Sequence, residues 1–260
     1  TDLSGSTTTS YSIASDQSQV GKYLRAVAVT TDSRGGTTTF NGTATVAVAN
    51  VNDPVSGGVT ITGTATQGQT LTAGNTLSDA DGLGTITYTW KADGTTVGTG
   101  TSYVLTQAEV GKTVTVTASY TDQQGTPESV TSASSVSVVN VNDAPSGVVT
   151  ISGTLKQNET LTVSNTLSDA DGLGTVGYQW YADNVAVKDA TGTSLVLSQA
   201  EVGKSITVTA SYTDGQGTAE SVTSASSVSV ANVNDAPSGS VSISGTLKQN
   251  ETLTVSNTLS

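Results

Sequence analysis

A short segment recurs three times along the chain and divides it into modules. Residues 50–57, 140–147 and 232–239 each begin with Asn-Val-Asn-Asp, and a proline follows that aspartate within two residues. The copies are spaced 90 and 92 residues apart, and a fixed period of this length indicates one folded module repeated in line. Because proline restricts the residue before it and cannot donate to a sheet ladder, we interpret the segment as the joint between consecutive modules.

The 260 residues therefore hold two complete modules and two partial ones. We predict the C-terminal half of a module at 1–53, complete β-sandwich modules at 54–143 and 144–235, and the N-terminal part of the next module at 236–260. A module of ~90 residues is long enough to bury one modest core. Ser244–Ser260 is identical to Ser152–Ser168, which favours duplication of a single unit. We interpret the chain as a window of a longer array.

Within the complete modules, hydrophobic residues alternate with polar ones. Ile86, Tyr88 and Trp90 share one face of a predicted strand and threonines occupy the other, which is the period of a half-buried strand. About seven such strands per module, separated by turn residues and without helical periodicity, predict an all-β fold. We expect tandem immunoglobulin-like (cadherin-like) β-sandwiches of about 90 residues each in a linear array, with Trp90 and Trp180 as core anchors.

Acidic loops beside the joints predict cation sites. A seven-strand sandwich has its loops at two poles, and the joint, the loop before the tryptophan strand and the loop between the last two strands share one pole. Several neighbouring carboxylates stay ionised only if a cation neutralises them, and Ca²⁺ accepts carboxylate, amide and backbone oxygens. The predicted ligands at the three joints are, in turn, Asn52, Asp53, Asp79, Asp81 and Asp122; Asn142, Asp143, Asp169, Asp171 and Asp214; and Asn234 and Asp235.

Simpler interpretations of these loops stay open. Aspartate and glycine are ordinary turn residues, so each acidic loop could be turn chemistry, and Asn-Asp-Ala-Pro could be only a stiff linker. The chain has no His and no Cys, so Zn²⁺ lacks its preferred ligands. Asp93 and Glu109, at the opposite pole of the first complete module, are further candidates for the second joint.

With Asn-Asp-Ala-Pro at the joint, the Asp-Ala-Asp-Gly-Leu-Gly loop at 79–84 and the sandwich pattern, the chain resembles a known family. It is similar to the cadherin-like, immunoglobulin-like tandem repeats of giant bacterial surface adhesins. The resemblance implies a long extracellular stalk at the cell surface, with neighbouring repeats of the same chain as partners and Ca²⁺ making the junctions rigid. One departure is Pro54, which directly follows Asp53 at the first joint.

Composition excludes several functions. A net charge of −12 argues against nucleic acid and anionic membrane surfaces, because both require a basic footprint. Without His or Cys the chain lacks the commonest general base, any thiol and any disulfide, so we expect no enzyme. No run approaches the ~20 apolar residues of a membrane span, so we expect no direct membrane insertion.

Two further functions remain as alternatives. A strand of one chain could complete the sandwich of another, so that copies of the chain assemble into a filament. Alternatively, threonine-rich strands such as Thr113–Thr117 could form a hydroxyl array that binds glycan or ice, although exposed threonine is also simply a favourable strand residue.

Overall fold

The computed structural model describes Leu3 and residues 7–260, so residues 1, 2 and 4–6 of the predicted first half-module lie outside the described residues. The chain divides into two compact units, Thr1–Val141 and Asn142–Ser260. Among the described residues of the two units together, the regular structure consists of β-strands and three short 3-10 helices, so the all-β prediction is confirmed. Of the helices in the described part of the chain, none has the length and apolar character needed to cross a membrane.

The described residues of unit 1 form two 3-10 helices and nine strands. In chain order they are η1 (Gln17–Gln19), β1 (Val27–Thr31), β2 (Thr37–Asn41), β3 (Val59–Thr62), β4 (Thr70–Asn75), β5 (Thr87–Ala92), β6 (Thr95–Thr99), β7 (Ser102–Val104), η2 (Gln107–Glu109), β8 (Val114–Thr121) and β9 (Pro127–Thr131). Strands β1 and β2 pair with each other, β3-β4-β7 form a three-stranded sheet, and β6-β5-β8-β9 form a four-stranded sheet. All of these pairings are antiparallel.

Unit 2 repeats the order from β3 to β9 and then begins it again. Its elements are β10 (Val149–Ser152), β11 (Thr160–Asn165), β12 (Gly177–Ala182), β13 (Val185–Ala186), β14 (Ser194–Val196), η3 (Gln199–Glu201), β15 (Ile206–Thr213), β16 (Ala219–Thr223), β17 (Val241–Ser244) and β18 (Thr254–Asn257). Sheets β10-β11-β14 and β13-β12-β15-β16 match those of unit 1, and β17 pairs with β18.

One core joins the two larger sheets of unit 1. Strand β8 buries every second residue, as its alternating sequence predicts, and Val116 lies opposite Trp90 on β5. Val59 on β3 and Leu71 on β4 belong to the same buried cluster as Trp90. The indole N–H of Trp90 donates to the Gly100 carbonyl at 2.9 Å, so the polar atom of this buried ring is satisfied. Trp90 is therefore the core anchor that its strand position predicts.

The core of unit 2 is built in the same way. Leu161 on β11 packs in one buried cluster with Trp180 on β12 and Val208 on β15. Trp180 lies opposite Val208, and its indole N–H donates to the Gly192 carbonyl at 2.9 Å. Both complete modules thus bury the same tryptophan position between two small antiparallel sheets.

After the last strand of each complete module, the chain returns to the segment that connects the first two strands. In unit 1, Val139 pairs in parallel with Thr66; the Gln67 N–H donates to the Val139 carbonyl at 2.9 Å, and the Val139 N–H donates to Ala65 at 2.9 Å. In unit 2 the corresponding parallel bridge joins Lys156 and Ala231. We call residues 138–141 and 230–233 the exit segments, since each leads to the following joint.

Candidate cation site at the joints

In each unit, the joint aspartate is bound to the acidic loop that follows. The backbone N–H of Asp53 donates to Oδ2 of Asp81 at 2.7 Å. In unit 2, the backbone N–H of Asp143 donates to Oδ2 of Asp171, also at 2.7 Å. Because the two contacts have the same atoms and length, the structure places the joint and the acidic loop together in both complete modules.

Asp79 organises the acidic loop of unit 1 and has both carboxylate oxygens engaged. Oδ1 accepts the N–H of Asp81 at 2.9 Å, which is the turn chemistry of an aspartate two residues upstream. Oδ2 accepts the hydroxyl of Tyr120 on β8 at 2.6 Å. Burial, together with the bond to Asp79, raises the pKa of the Tyr120 hydroxyl, so it remains a donor at neutral pH. Asp79 therefore fastens the loop to the sheet.

Asp169 has the same role in unit 2. Its Oδ1 accepts the N–H of Asp171 at 2.9 Å, and its Oδ2 accepts the hydroxyl of Tyr212 at 2.5 Å. The predicted ligands Asp79 and Asp169 thus lie in the acidic loops, but their oxygens already have partners within the protein.

Asp122 occupies the turn between β8 and β9. Its Oδ1 accepts the N–H groups of Gln124 at 2.8 Å and Thr126 at 2.7 Å. Burial raises the pKa of Asp122, but the backbone donors of Thr126 and Gln124 outweigh it and hold the pKa below its usual value. The neighbouring Gln123 N–H donates to the Gly82 carbonyl at 3.2 Å, which brings this turn against the acidic loop.

In unit 2, Asp214 occupies the equivalent turn. Its Oδ1 accepts the N–H groups of Gln216 at 2.9 Å and Thr218 at 2.7 Å, and its pKa is lowered against burial for the same reason. The Gly215 N–H donates to the Asp171 carbonyl at 3.1 Å, so the turn and the acidic loop again meet.

Two carboxylates of each unit present an oxygen that is shielded from solvent and has no hydrogen-bond partner. In unit 1 these atoms are Oδ1 of Asp81 and Oδ2 of Asp122, on side chains that are 3% and 5% exposed. In unit 2 they are Oδ1 of Asp171 and Oδ2 of Asp214, on side chains that are 4% and 6% exposed. Since buried carboxylate oxygens are costly to leave unpaired, these four atoms call for a partner.

Two amide positions share this property, and they were absent from the ligands predicted by sequence. Oε1 of Gln17 and Oδ1 of Asn50 are shielded and unpaired in unit 1, as are Oε1 of Gln107 and Oδ1 of Asn140. The Gln17 amide also donates to Oδ2 of Asp53 at 3.1 Å, which places it at the first joint. The repeat contained a usable signal, because the glutamine and the asparagine each recur after 90 residues.

The asparagines next to the joint aspartates make a contact through their amide nitrogens. The Asn52 amide donates to Oε1 of Glu128 at 2.9 Å, and in unit 2 the Asn142 amide donates to Oε1 of Glu220 at 2.7 Å. At the third joint, the Asn234 amide donates to the carbonyl of Asp235 at 3.4 Å. The predicted ligands Asn234 and Asp235 have no acidic loop beside them within the sequence, because the position equivalent to Asp81 would follow Ser260.

Asp93 and Glu109 are engaged inside their own module. Oδ1 of Asp93 accepts both the N–H and the hydroxyl of Thr113 at 3.0 Å. Oε2 of Glu109 accepts the N–H of Thr106 at 2.9 Å and its hydroxyl at 2.8 Å, which closes a capping box on η2. Both side chains thus stabilise local turns.

The donor set suits Ca²⁺ better than other common metals. At the first joint the unpaired atoms, those of Gln17, Asn50, Asp81 and Asp122, are two carboxylate and two amide oxygens, all hard ligands of the kind that Ca²⁺ accepts in flexible geometry. No group of three or more acidic side chains forms a metal centre within the described residues. Oδ2 of Asp79 accepts from Tyr120, and Oδ2 of Asp81 accepts from Asp53. The oxygens that remain unpaired are therefore a mixture of carboxylate and amide oxygens.

Comparison with known proteins gives only remote similarity. No family model matches the chain, and no curated protein matches it. One solved structure, a Ca²⁺-stabilised adhesin that helps an Antarctic bacterium reach out and bind ice, is 17% identical with a TM-score of 0.30, and the match covers 85% of this chain and 59% of that one. A tetra-tandem repeat from the extending region of a large adhesion protein is 19% identical with a TM-score of 0.30, over 92% and 71% of the two chains.

The chain thus spans less than two thirds of the first of these structures. Both are adhesion proteins by name, and at these TM-scores the likeness assigns neither fold nor function to this chain.

Proposed function

We propose that the chain is a structural, non-catalytic segment of an extracellular adhesin stalk at the cell surface. Its modules are tandem immunoglobulin-like, cadherin-like β-sandwiches, whose partners are the neighbouring repeats of the same chain. Ca²⁺ binds at the joints and stiffens them. The remote likeness to two adhesion proteins agrees with this proposal without carrying it.

The observation that carries the proposal is the set of unpaired oxygens. Eight shielded side-chain oxygens among the described residues lack a partner, and they come from four module positions that each occur twice: Gln17 and Gln107, Asn50 and Asn140, Asp81 and Asp171, and Asp122 and Asp214. Each unpaired buried polar group costs about 1–3 kcal/mol, and more when it is charged. Recurrence at equivalent positions in two modules indicates a shared ligand rather than chance.

At the first joint, the residues that would hold the ion are Gln17, Asn50, Asp81 and Asp122. Asp53 lies among them, because its carboxylate accepts from Gln17 and its N–H donates to Asp81. When bound, Ca²⁺ would supply the positive charge that neutralises the two carboxylates and would connect residues before the joint to residues after it. An ion that binds only the folded, aligned arrangement adds stability by mass action.

Calorimetric titration of Ca²⁺ into chelator-stripped protein tests the proposal. We expect binding by the wild-type chain, and loss of one site in the double variant Asp81→Asn, Asp122→Asn, because both unpaired carboxylate oxygens lose their charge. Asp93→Asn is the matched control, since Asp93 is an acidic turn residue whose carboxylate accepts from Thr113. Absence of binding in the wild type, or equal loss in the control, would reduce the acidic loops to turn chemistry.

A further inference from the structure

A buried glutamine holds the exit segment of unit 2. Gln157 is 5% exposed and lies in the turn between β10 and β11. Its Oε1 accepts the N–H of Val233 at 3.1 Å, and its Nε2 donates to Oδ2 of Asp235 at 3.1 Å. The Gln157 backbone N–H also donates to the Ala231 carbonyl at 2.9 Å. One residue therefore contacts the exit segment and the aspartate of the joint that follows it.

An identical sequence elsewhere in unit 2 shows that the local segment by itself does not bury this glutamine. Ser244–Ser260 repeats Ser152–Ser168, and Gln249 occupies the position of Gln157. The two turns have the same conformation: Lys156 N–H donates to Thr154 and Lys248 N–H to Thr246, both at 2.9 Å. Gln249 is nevertheless exposed. Since sequence and turn are the same, Gln157 owes its burial to residues outside the repeated segment, among them the exit segment that it contacts.

Unit 1 shows the same contact at its own exit segment. Oε1 of Gln67 accepts the N–H of Val141 at 3.1 Å, and the Gln67 backbone N–H donates to Val139 at 2.9 Å. The glutamine is retained although its neighbours differ, with Thr66 in one module and Lys156 in the other. The side chain that reaches the exit segment is thus common to both complete modules.

We propose that Gln157, like Gln67, is a positioning residue that fixes the direction in which the chain leaves its module and, for Gln157, the orientation of the Asp235 carboxylate. The carboxamide suits this role because it combines an acceptor for the exit backbone with a donor for the carboxylate. The hydrogen bond to Val233 does not depend on any ion. Any contribution of Gln157 to a cation site at the joint, through Asp235, rests on the proposed function.

Amide hydrogen exchange by NMR on the full chain in the presence of chelator tests this role. In Gln157→Leu, we expect the Val233 amide to exchange about tenfold faster, as for loss of one net hydrogen bond. The Ala231 amide, which donates to the Leu155 carbonyl at 2.9 Å, should keep its protection. Gln249→Leu is the matched control, and it should change neither amide.

A second variant separates positioning from simple packing. Gln157→Glu keeps the acceptor for Val233, so the protection of that amide should persist, but it loses the donor to Asp235. The side-chain carboxylate resonance of Asp235 should therefore shift in both the Glu and the Leu variants. An unchanged Val233 exchange rate in Gln157→Leu, an unmoved Asp235 resonance, or an equal effect of Gln249→Leu would overturn the proposal. Because chelator is present throughout, none of these results depends on whether the chain binds Ca²⁺.

Discussion

The hydroxyl of Tyr120 donates to the carboxylate of Asp79 at 2.6 Å, and this bond fastens the acidic loop to strand β8. The contact spans 41 residues of sequence. Both carboxylate oxygens of Asp79 therefore have a partner within the protein, because the other oxygen accepts the Asp81 N–H.

Removing that hydroxyl should loosen the loop. In Tyr120→Phe, Asp79 loses its buried partner, so we expect the free energy of unfolding to fall by about 1–3 kcal/mol. Urea denaturation measures the change. Tyr23→Phe is the control, because Tyr23 is 70% exposed and its substitution should leave the free energy of unfolding unchanged. Equal stabilities of Tyr120→Phe and wild type would show that the bond contributes nothing to folding.

Acid should destabilise the units through Asp122 and Asp214. The folded state lowers the pKa of both below the ordinary value of 3.8, so the unfolded chain binds more protons as the pH falls past that value. Their stabilisation is complete above this pH and is lost as the pH falls through the folded-state pKa.

Thermal unfolding in chelator as a function of pH measures this loss. Asp122→Asn keeps an acceptor oxygen for Gln124 and Thr126 but cannot titrate, so its melting temperature should fall less steeply with decreasing pH than that of the wild type. If the melting temperatures of both proteins fall equally steeply, the acid sensitivity comes from other groups.

The acidic loop approaches β8 so closely that only glycine fits. A Cβ on Gly84 would lie 2.0 Å from the Thr121 carbonyl oxygen. Gly84→Ala should therefore displace the loop and cost about 1–3 kcal/mol, as other overpacked sites do. Gly58→Ala is the matched control, because a Cβ at Gly58 meets nothing within 4 Å. Denaturant unfolding of the two variants compares them, and similar stabilities would contradict the close approach.

Calcium removal should act on the joints and spare the cores. Relative to chelator, a hundredfold excess of Ca²⁺ over Kd should stabilise the folded state by ~2.7 kcal/mol. It should also slow amide exchange at Asn50–Asp53. Scanning calorimetry and hydrogen exchange measure the two effects. In Asp81→Asn, Asp122→Asn the effect on exchange should vanish at this joint, and its persistence there would place the ion elsewhere.

Local patterns in the sequence predicted much of the fold. Alternation placed Tyr88 and Trp90 correctly inside, because a half-buried strand imposes a period of two on its residues. The acidic loop and the turn of Asp122 were expected beside the joint, and their hydrogen bonds join them there. The module boundaries and the role of these residues in binding an ion remain predictions.

The identity of the unpaired atoms could not be predicted in the same way. Asp79 and Asp81 look equivalent in the sequence, but the hydroxyl of Tyr120, 41 residues further along the chain, donates to Oδ2 of Asp79. Asn52 was predicted as a ligand, and local patterns gave no sign that its amide nitrogen donates to Glu128 on a distant strand. The shielded, unpaired oxygens of Gln17 and Asn50 were not anticipated. Such assignments depend on contacts between segments far apart in the chain, which local patterns do not encode.

The parallel pairing of the exit segment has a consequence for a chain under tension. Residues 155–157 lead away from the N-terminal end of their module, and residues 230–233 lead towards its C-terminal end, so a pull on both ends drags the two segments in opposite directions along their shared bonds. The hydrogen bonds of Lys156, Gln157 and Ala231 are therefore loaded in shear and bear the force simultaneously. In an antiparallel pair at the same place, the hydrogen bonds would bear the force and break one after another.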